Sequence, residues 1–328
     1  MPSPTPSAAI ERAVVVFLDG VGLGDDDPAV NPLAGTPMPT LECLLGGRRP
    51  VRDAMGTATG AATLLGLDAR LGVPGLPQSG TGQTTILTGV NAAARLGRHD
   101  GPYPNGLLQD LLRRGTLFTA LLRRQRPVAY ANAYTDRFLG RIARGTERLS
   151  ANTRAALLAG LTLRGPADLA DGRAVSSLFT NAYFRQHGYA VPDVTPEQAG
   201  RQLARLAADH TLTFFEFWFT DVAGHRQNHA LAREILIQLD GFLAGALAGL
   251  DLTRSWLLVI SDHGNFEDLS TPRHTLNPAL AVLIGAGHAD VAAHLTDLTR
   301  LTPMLLRALG AAPFTADNDR PFLSVVSP

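Results

Sequence analysis

The chain contains no lysine; every one of its 29 Lys+Arg positions is arginine. That removes Schiff-base chemistry, pyridoxal attachment and a Walker-type phosphate lysine. Cysteine is nearly absent: Cys43 stands alone, so no intramolecular disulfide and no thiolate zinc cluster can form, and nothing points to an oxidising compartment. Net charge is missing too, because 29 acidic residues balance the 29 basic ones. No overall field would draw the protein to nucleic acid or an acidic membrane. No uncharged apolar run approaches the roughly 20 residues a bilayer crossing needs. Residues 1–12, MPSPTPSAAIER, lack the basic start and apolar centre of a secretory leader. The expected address is the cytoplasm, with neither nucleic acid nor membrane as partner.

What is present is apolar and rhythmic. With 328 residues and 45% hydrophobic content, the chain can bury one large core. AVVVFLDG (13–20) is a short β-branched run ending in Asp-Gly, and TLTFFEFWFTD (211–221) and SWLLVISD (255–262) also finish on Asp. Residues 229–250 have helical apolar spacing, and ALAVLIG (279–285) followed by 296–310 repeats the strand-then-helix rhythm. Residues 107–125 read as helical, divided at Gly115, and PVAYAN (127–132) as a strand. Strands alternating with helices predict an α/β fold, a doubly wound and mostly parallel sheet with helices on both faces. The segment 134–205 breaks the rhythm with short helical pieces and Gly/Pro interruptions, and reads as a small inserted cap within a single domain. In such sheets ligands bind beyond the carboxyl ends of the strands. Three strands that each deliver an Asp there define a site, although Asp also commonly starts turns.

The same ends carry histidines. Asp221 and His225 lie four apart with a glycine between, and Asp262 and His263 are adjacent. His274 follows in a Gly- and Pro-punctuated loop. A carboxylate with a neutral imidazole suits zinc or manganese. His99, His187, His210, His288 and His294 read as ordinary polar residues. A second stretch, GLPQSGTGQTTILTG (75–89), places Ser79 among glycines at the opening of a helix. Free N–H groups at a helix start favour phosphate or sulfate, and a bound divalent cation could make the serine a nucleophile. Alone this loop is weak, since a capping serine is commonplace.

Taken in order, FLDG, SGTGQTTILTG (79–89), DVAGH (221–225), SDHGN (261–265) and RHTLNP (273–278) resemble the alkaline phosphatase superfamily of two-metal phosphoryl-transfer enzymes. Within it the motifs are most similar to cofactor-independent phosphoglycerate mutase and phosphopentomutase. The resemblance implies two divalent cations, Mn²⁺ or Zn²⁺. It assigns Asp19, Ser79, Asp262 and His263 to one, and Asp221, His225 and His274 to the other. Ser79 is the implied nucleophile, forming a phosphoserine. Gly82-Gln83 stands where those relatives show a Gly-His step, a departure that bears on the choice of Ser79 over Thr81, Thr84 or Thr85. Sulfatases need a C/S-x-P-x-R arrangement, whose Pro and Arg are absent here.

Two divalent cations and three aspartates leave about +1 before the serine ionises, a charge that attracts a phosphate dianion. Arginine is the only cationic side chain available to grip it, and Arg226, Arg273 and Arg137 lie nearest the motifs. A phosphomutase must enclose its substrate against water, and the resembling mutases carry larger caps than 134–205. The expectation is therefore hydrolysis of a small phosphate mono- or diester. A phosphomutase is the alternative, and a non-catalytic phospho-ligand-binding protein a third reading of another class.

Overall fold

A computed structural model describes residues 10–311. The leader reading of 1–12 therefore lies outside the described residues but for its last three positions. Among the described residues eight strands are formed: β1 (Arg12–Leu18), β2 (Ala62–Leu67), β3 (Val128–Tyr130), β4 (Asn132–Ala133), β5 (Val175–Ser176), β6 (Leu212–Phe217), β7 (Ser255–Ser261) and β8 (Ala279–Ile284). Six build the main sheet in the order β2-β8-β7-β1-β6-β3, while β4 and β5 pair separately. Strands β3, β6, β1 and β7 run parallel. β8 runs antiparallel to both β7 and β2.

The helices that matter below are α1 (Ser79–Thr88), α2 (Asp136–Ala143), α3 (Ala151–Leu158), α4 (Pro196–Ala207), α5 (Phe219–His225), α6 (His229–Gly249) and α7 (Leu301–Ala308). They cover both faces of the sheet, as strand alternation requires. Along β1, Val14, Val16 and Leu18 point into one apolar layer with Leu203 of α4 and Leu239 and Phe242 of α6. Ala13, Val15 and Phe17 point into the other, with Ile86 and Leu87 of α1 and Leu305 of α7. A strand buried on both faces has no polar positions to alternate, which is why these runs are continuously hydrophobic.

Two features depart from the sequence expectation. ALAVLI was read as another strand of the βα rhythm, yet β8 is antiparallel. The reason is geometric: residues 262–278 never leave the edge where β7 ends, so the next strand enters from that edge and runs back. This keeps the His274 loop beside the site. Strand β6, expected to reach Asp221, ends at Phe217, and Asp221 lies on α5. The stretch 134–205 holds α2, α3, β5 and most of α4. Helix α4 belongs to the layered core: a Cβ on its Gly200 would lie 2.0 Å from the Phe242 carbonyl of α6, and one on Gly245 would lie 1.9 Å from that of Glu197.

Candidate metal centre

The carboxyl edge of the parallel strands gathers all seven residues that the sequence singled out. Asp19 and Asp262 are the first residues past β1 and β7, whose registers pair Leu18 with Ser261. Neighbouring parallel strands that end level must place their next side chains together. The helix α5 carries Asp221 and His225 at i and i+4, one face of one turn, with His225 Nε2 3.2 Å from Asp221 Oδ2. His274 Nε2 comes to 3.6 Å from Asp221 Oδ1. Ser79 opens α1, and its Oγ lies 3.0 Å from His263 Nε2 and 3.3 Å from Asp19 Oδ1.

Potential ligand atoms of Asp19, Asp262 and His263 lie within 4.8 Å of one another, and so do those of Asp221, His263 and His274. His263 stands in both groups and joins them. Between the halves the backbone turns at Gly20, whose φ is +69°; a Cβ there would meet Asp221 Oδ1 at 2.6 Å and His263 Cε1 at 3.2 Å. Only glycine fits a positive φ in such a gap.

The imidazoles share one orientation. Nδ1 of His225 faces the Pro272 carbonyl at 2.8 Å, Nδ1 of His274 faces that of Pro77 at 2.6 Å, and Nδ1 of His263 that of Gly264 at 3.3 Å. A carbonyl accepts, so Nδ1 must carry the hydrogen, and in neutral rings each Nε2 presents a lone pair to the cluster. Yet the Nε2 atoms of His225 and His274 are 3.3 Å apart. Two lone pairs cannot face each other at that separation without a positive charge, a proton or a metal cation, among them. Asp262 Oδ2 is buried with no hydrogen-bond partner. Inward lone pairs, each anchored through the opposite nitrogen, and an orphan carboxylate oxygen fit divalent cations.

The electrostatics carry the same message. Burial, followed by the Asp262 charge, pushes the Asp19 carboxyl up to about 7. Burial likewise raises Asp262. For His263 burial acts downward, but the carboxylates of Asp262 and Asp19 outweigh it and lift the imidazole to about 10. Asp221 would be raised by burial, but its hydrogen bond to His225 and the His263 charge hold it at about 2. That bond raises His225. Burial and His263 lower His274 to about 4. His225 is also the open member, with 44% of its side chain exposed, against 6% for His274 and 0% for His263.

Several supporting residues were missed in the sequence. Asn265 Nδ2 donates to Asp221 Oδ1 at 2.7 Å, Thr220 Oγ1 to the Asp19 carbonyl at 2.6 Å, and Gln83 Nε2 to Asp19 Oδ2 at 3.3 Å. The Gly20 amide donates to Asp262 Oδ1 at 3.2 Å. Gln83 lies one helical turn beyond Ser79, and that i+4 spacing was the available signal. The arginines are less informative. Arg226 and Arg273 follow His225 and precede His274 in the chain, Arg137 lies on α2, and all three are exposed. Among the described residues none shares a hydrogen bond or ion pair with the seven.

Residues 185–313 match a family model described as the metalloenzyme superfamily. That span holds Asp221, His225, Asp262, His263 and His274 but not Asp19 or Ser79. No curated protein matches the sequence. Among solved structures, the PH0037 protein from Pyrococcus horikoshii is similar with a TM-score of 0.58 at 12% identity, covering 94% of this chain and 100% of the other. The phosphoglycerate mutase of Leishmania mexicana gives 0.57 at 9%, covering 97% and 99%. The Thermus thermophilus alkaline phosphatase gives 0.56 at 13%, covering 94% and 93%. At these identities the likeness is one of fold: the chain has the α/β fold of alkaline phosphatase-like proteins, and the resemblance read from its motifs holds at that level. Among the described residues no helix is long and apolar enough to cross a membrane.

Proposed function

We propose that the chain is a two-metal phosphoryl-transfer enzyme that hydrolyses a small phosphate mono- or diester through a phosphoserine at Ser79, in the cytoplasm. The observation that carries this reading is the Ser79 hydroxyl, 3.0 Å from His263 and 3.3 Å from Asp19 at the mouth of a ten-residue helix. A helix start favours the charge of an incoming phosphate. Asp19, Ser79, Asp262 and His263 would hold one cation and Asp221, His225 and His274 the other, Mn²⁺ or Zn²⁺. When bound, the cations offset the carboxylate charge, favour ionisation of the serine and screen the phosphate.

The chain's own groups then do the following. Gln83 holds the Asp19 carboxylate and Thr220 its backbone carbonyl, and Asn265 holds the Asp221 carboxylate, so both side chains are placed before substrate arrives. The Ser79 hydroxyl gives up its proton to solvent, its Oγ bonds to phosphorus as the phosphorus–oxygen ester bond breaks, and the ester oxygen leaves on the opposite side, taking a proton from solvent to depart as the alcohol. Water then attacks the seryl phosphoryl group, releasing inorganic phosphate when the substrate was a monoester or the remaining phosphate monoester when it was a diester, and restoring the hydroxyl. Exposed His225 marks the open side, where Arg226 and Arg273 would meet the substrate, with Arg137 more remote. The segment 134–205 would act as the cap. With α4 committed to the core, residues 134–195 remain to cover the site, which favours water as the acceptor.

The test is a single turnover of metal-replete protein with a ³²P-labelled ester panel. Label should appear on Ser79, be lost with Ser79→Ala, and leave into water as inorganic phosphate from a monoester or as a phosphate monoester from a diester. Return of the label to an acceptor hydroxyl selects a phosphomutase instead. Absence of any transfer, with phospho-ligand binding intact, selects the non-catalytic reading.

A further inference from the structure

Glu267 is a fully buried carboxylate, 1% exposed, that none of the seven candidate ligands touches through a hydrogen bond. Its Oε2 accepts from the backbone amides of Gly22 and Asn265, both at 2.8 Å. Its Oε1 accepts from Asn277 Nδ2 at 3.0 Å and from the Thr275 hydroxyl. These donors sit at three places: the loop after β1, some 245 positions away in sequence, and the two ends of the loop between β7 and β8. Gly22 follows Asp19, Asn265 follows His263, and Thr275 follows His274. The fit is close: a Cβ on Gly22 would fall 2.4 Å from Glu267 Oε1, and one on Gly264 2.3 Å from it.

Every donor to this carboxylate is neutral. Burying an ionised group without a cationic partner costs several kcal/mol unless its lone pairs are filled. Four donors fill them, so the arrangement holds only while all three segments stay in place. Two of the contacts lead into one half of the site. Thr275 is bonded beside His274, and the Asn265 whose amide is captured also donates its side chain to Asp221. We infer that Glu267 is the positioning residue that sets His274 and Asp221 for cation binding, by tying the loops after β1 and β7 to the segment that enters β8. This rests on the two-cation reading above, but not on hydrolysis.

The experiment is titration of metal-stripped protein with Co²⁺, whose visible absorption bands report its ligands. His274→Ala and Asp19→Asn identify which transition belongs to which half. In Glu267→Ala the transition that His274→Ala removes should weaken 10- to 100-fold, the usual effect of losing a group that holds a ligand. The transition that Asp19→Asn removes should change less. Thr275→Ala, which deletes one donor and leaves Glu267 in place, should weaken the same transition several-fold; it also carries the test if Glu267→Ala does not fold. Folded variants with both affinities and both spectra unchanged overturn the inference, whatever their loss of thermal stability. Wild-type protein that binds Co²⁺ in neither half overturns it together with the two-cation reading. Wild-type protein that binds in both halves but transfers no phosphate, with the variants weakened as stated, supports it and refutes the proposed function alone.

Discussion

Cation binding should be steeply coupled to pH in one half of the site and weakly in the other. In the half formed by Asp19, Asp262 and His263, protons occupy the positions a cation needs. His263 is lifted to about 10 and Asp19 to about 7. At pH 7 removing the His263 proton, three units below its value, costs ~4 kcal/mol. Between pH 7 and 9 one proton leaves per cation, so apparent affinity should rise about tenfold per unit, ~100-fold in all. Below pH 7 Asp19 adds a second proton and the slope approaches two. In the other half Asp221 at about 2 and His274 at about 4 are already stripped at neutral pH, leaving His225 alone to compete. Calorimetric titration of Mn²⁺ into metal-stripped protein, in buffers of different ionisation enthalpy, counts the protons released. His274→Ala isolates the first half. A flat affinity between pH 7 and 9, or release of less than about half a proton at pH 8, would refute the reasoning.

The same shifts fix how stability depends on pH. The raised His263 contributes stability that is complete below its unfolded value of 6.5 and is lost as pH rises through about 10. Asp19 adds a penalty that grows between its unfolded 3.8 and about 7, where the unfolded chain has ionised and the buried group has not. Below pH 6.5 the lowered His274 works the other way and offsets Asp19, so the Tm of metal-stripped protein should fall from pH 6.5 to 9 in differential scanning calorimetry, while cation-loaded protein shows a smaller fall; parallel curves would contradict the linkage. Gly20→Ala forces a side chain into φ +69° and sets its Cβ 2.6 Å from Asp221 Oδ1. It should cost about 1–2 kcal/mol in urea denaturation for the backbone alone, and at least tenfold in affinity of the half containing Asp221. A variant equal to wild type in both would mean the gap is wider than described.

Much of this architecture was legible because burial on two faces leaves a plain mark. The apolar runs of β1, β6 and β7 sit in the middle of the sheet, and the rule that ligands gather past parallel strand ends then pointed at Asp19 and Asp262. Strand direction was not legible in ALAVLI, since an apolar run of that length reads alike in either sense. It was decided by the loop 262–278, which stays at one edge. Asp221 was assigned to a strand end because TLTFFEFWFTD is apolar almost throughout. The switch to helix at Phe219 leaves no breaker residue to announce it. Gln83, Thr220, Asn265 and Glu267 escaped for a common reason: each acts through a hydrogen bond across the fold, as far as 245 positions in the case of Glu267 and Gly22. Apart from the i+4 offset of Gln83 from Ser79, sequence spacing carries no trace of such a bond.

The energetics also separate a binding site from a polar patch that merely tolerates burial. A core selected for stability alone gains by replacing buried ion pairs with apolar side chains of similar volume. Here the Asp262 charge raises the cost of ionising Asp19, the Asp221 charge raises it for both, and one oxygen of Asp262 is left without a donor. The surrounding backbone is nonetheless shaped to keep them: Gly20 yields its side chain, its amide supports Asp262, and Gln83 and Thr220 secure Asp19. Fixed groups that repel one another are a deficit for the isolated chain and an advantage once a cation joins them. A ligand at 100 times its Kd returns about 2.7 kcal/mol to the folded state. The arrangement therefore carries a cost in the metal-free chain that a bound cation would offset.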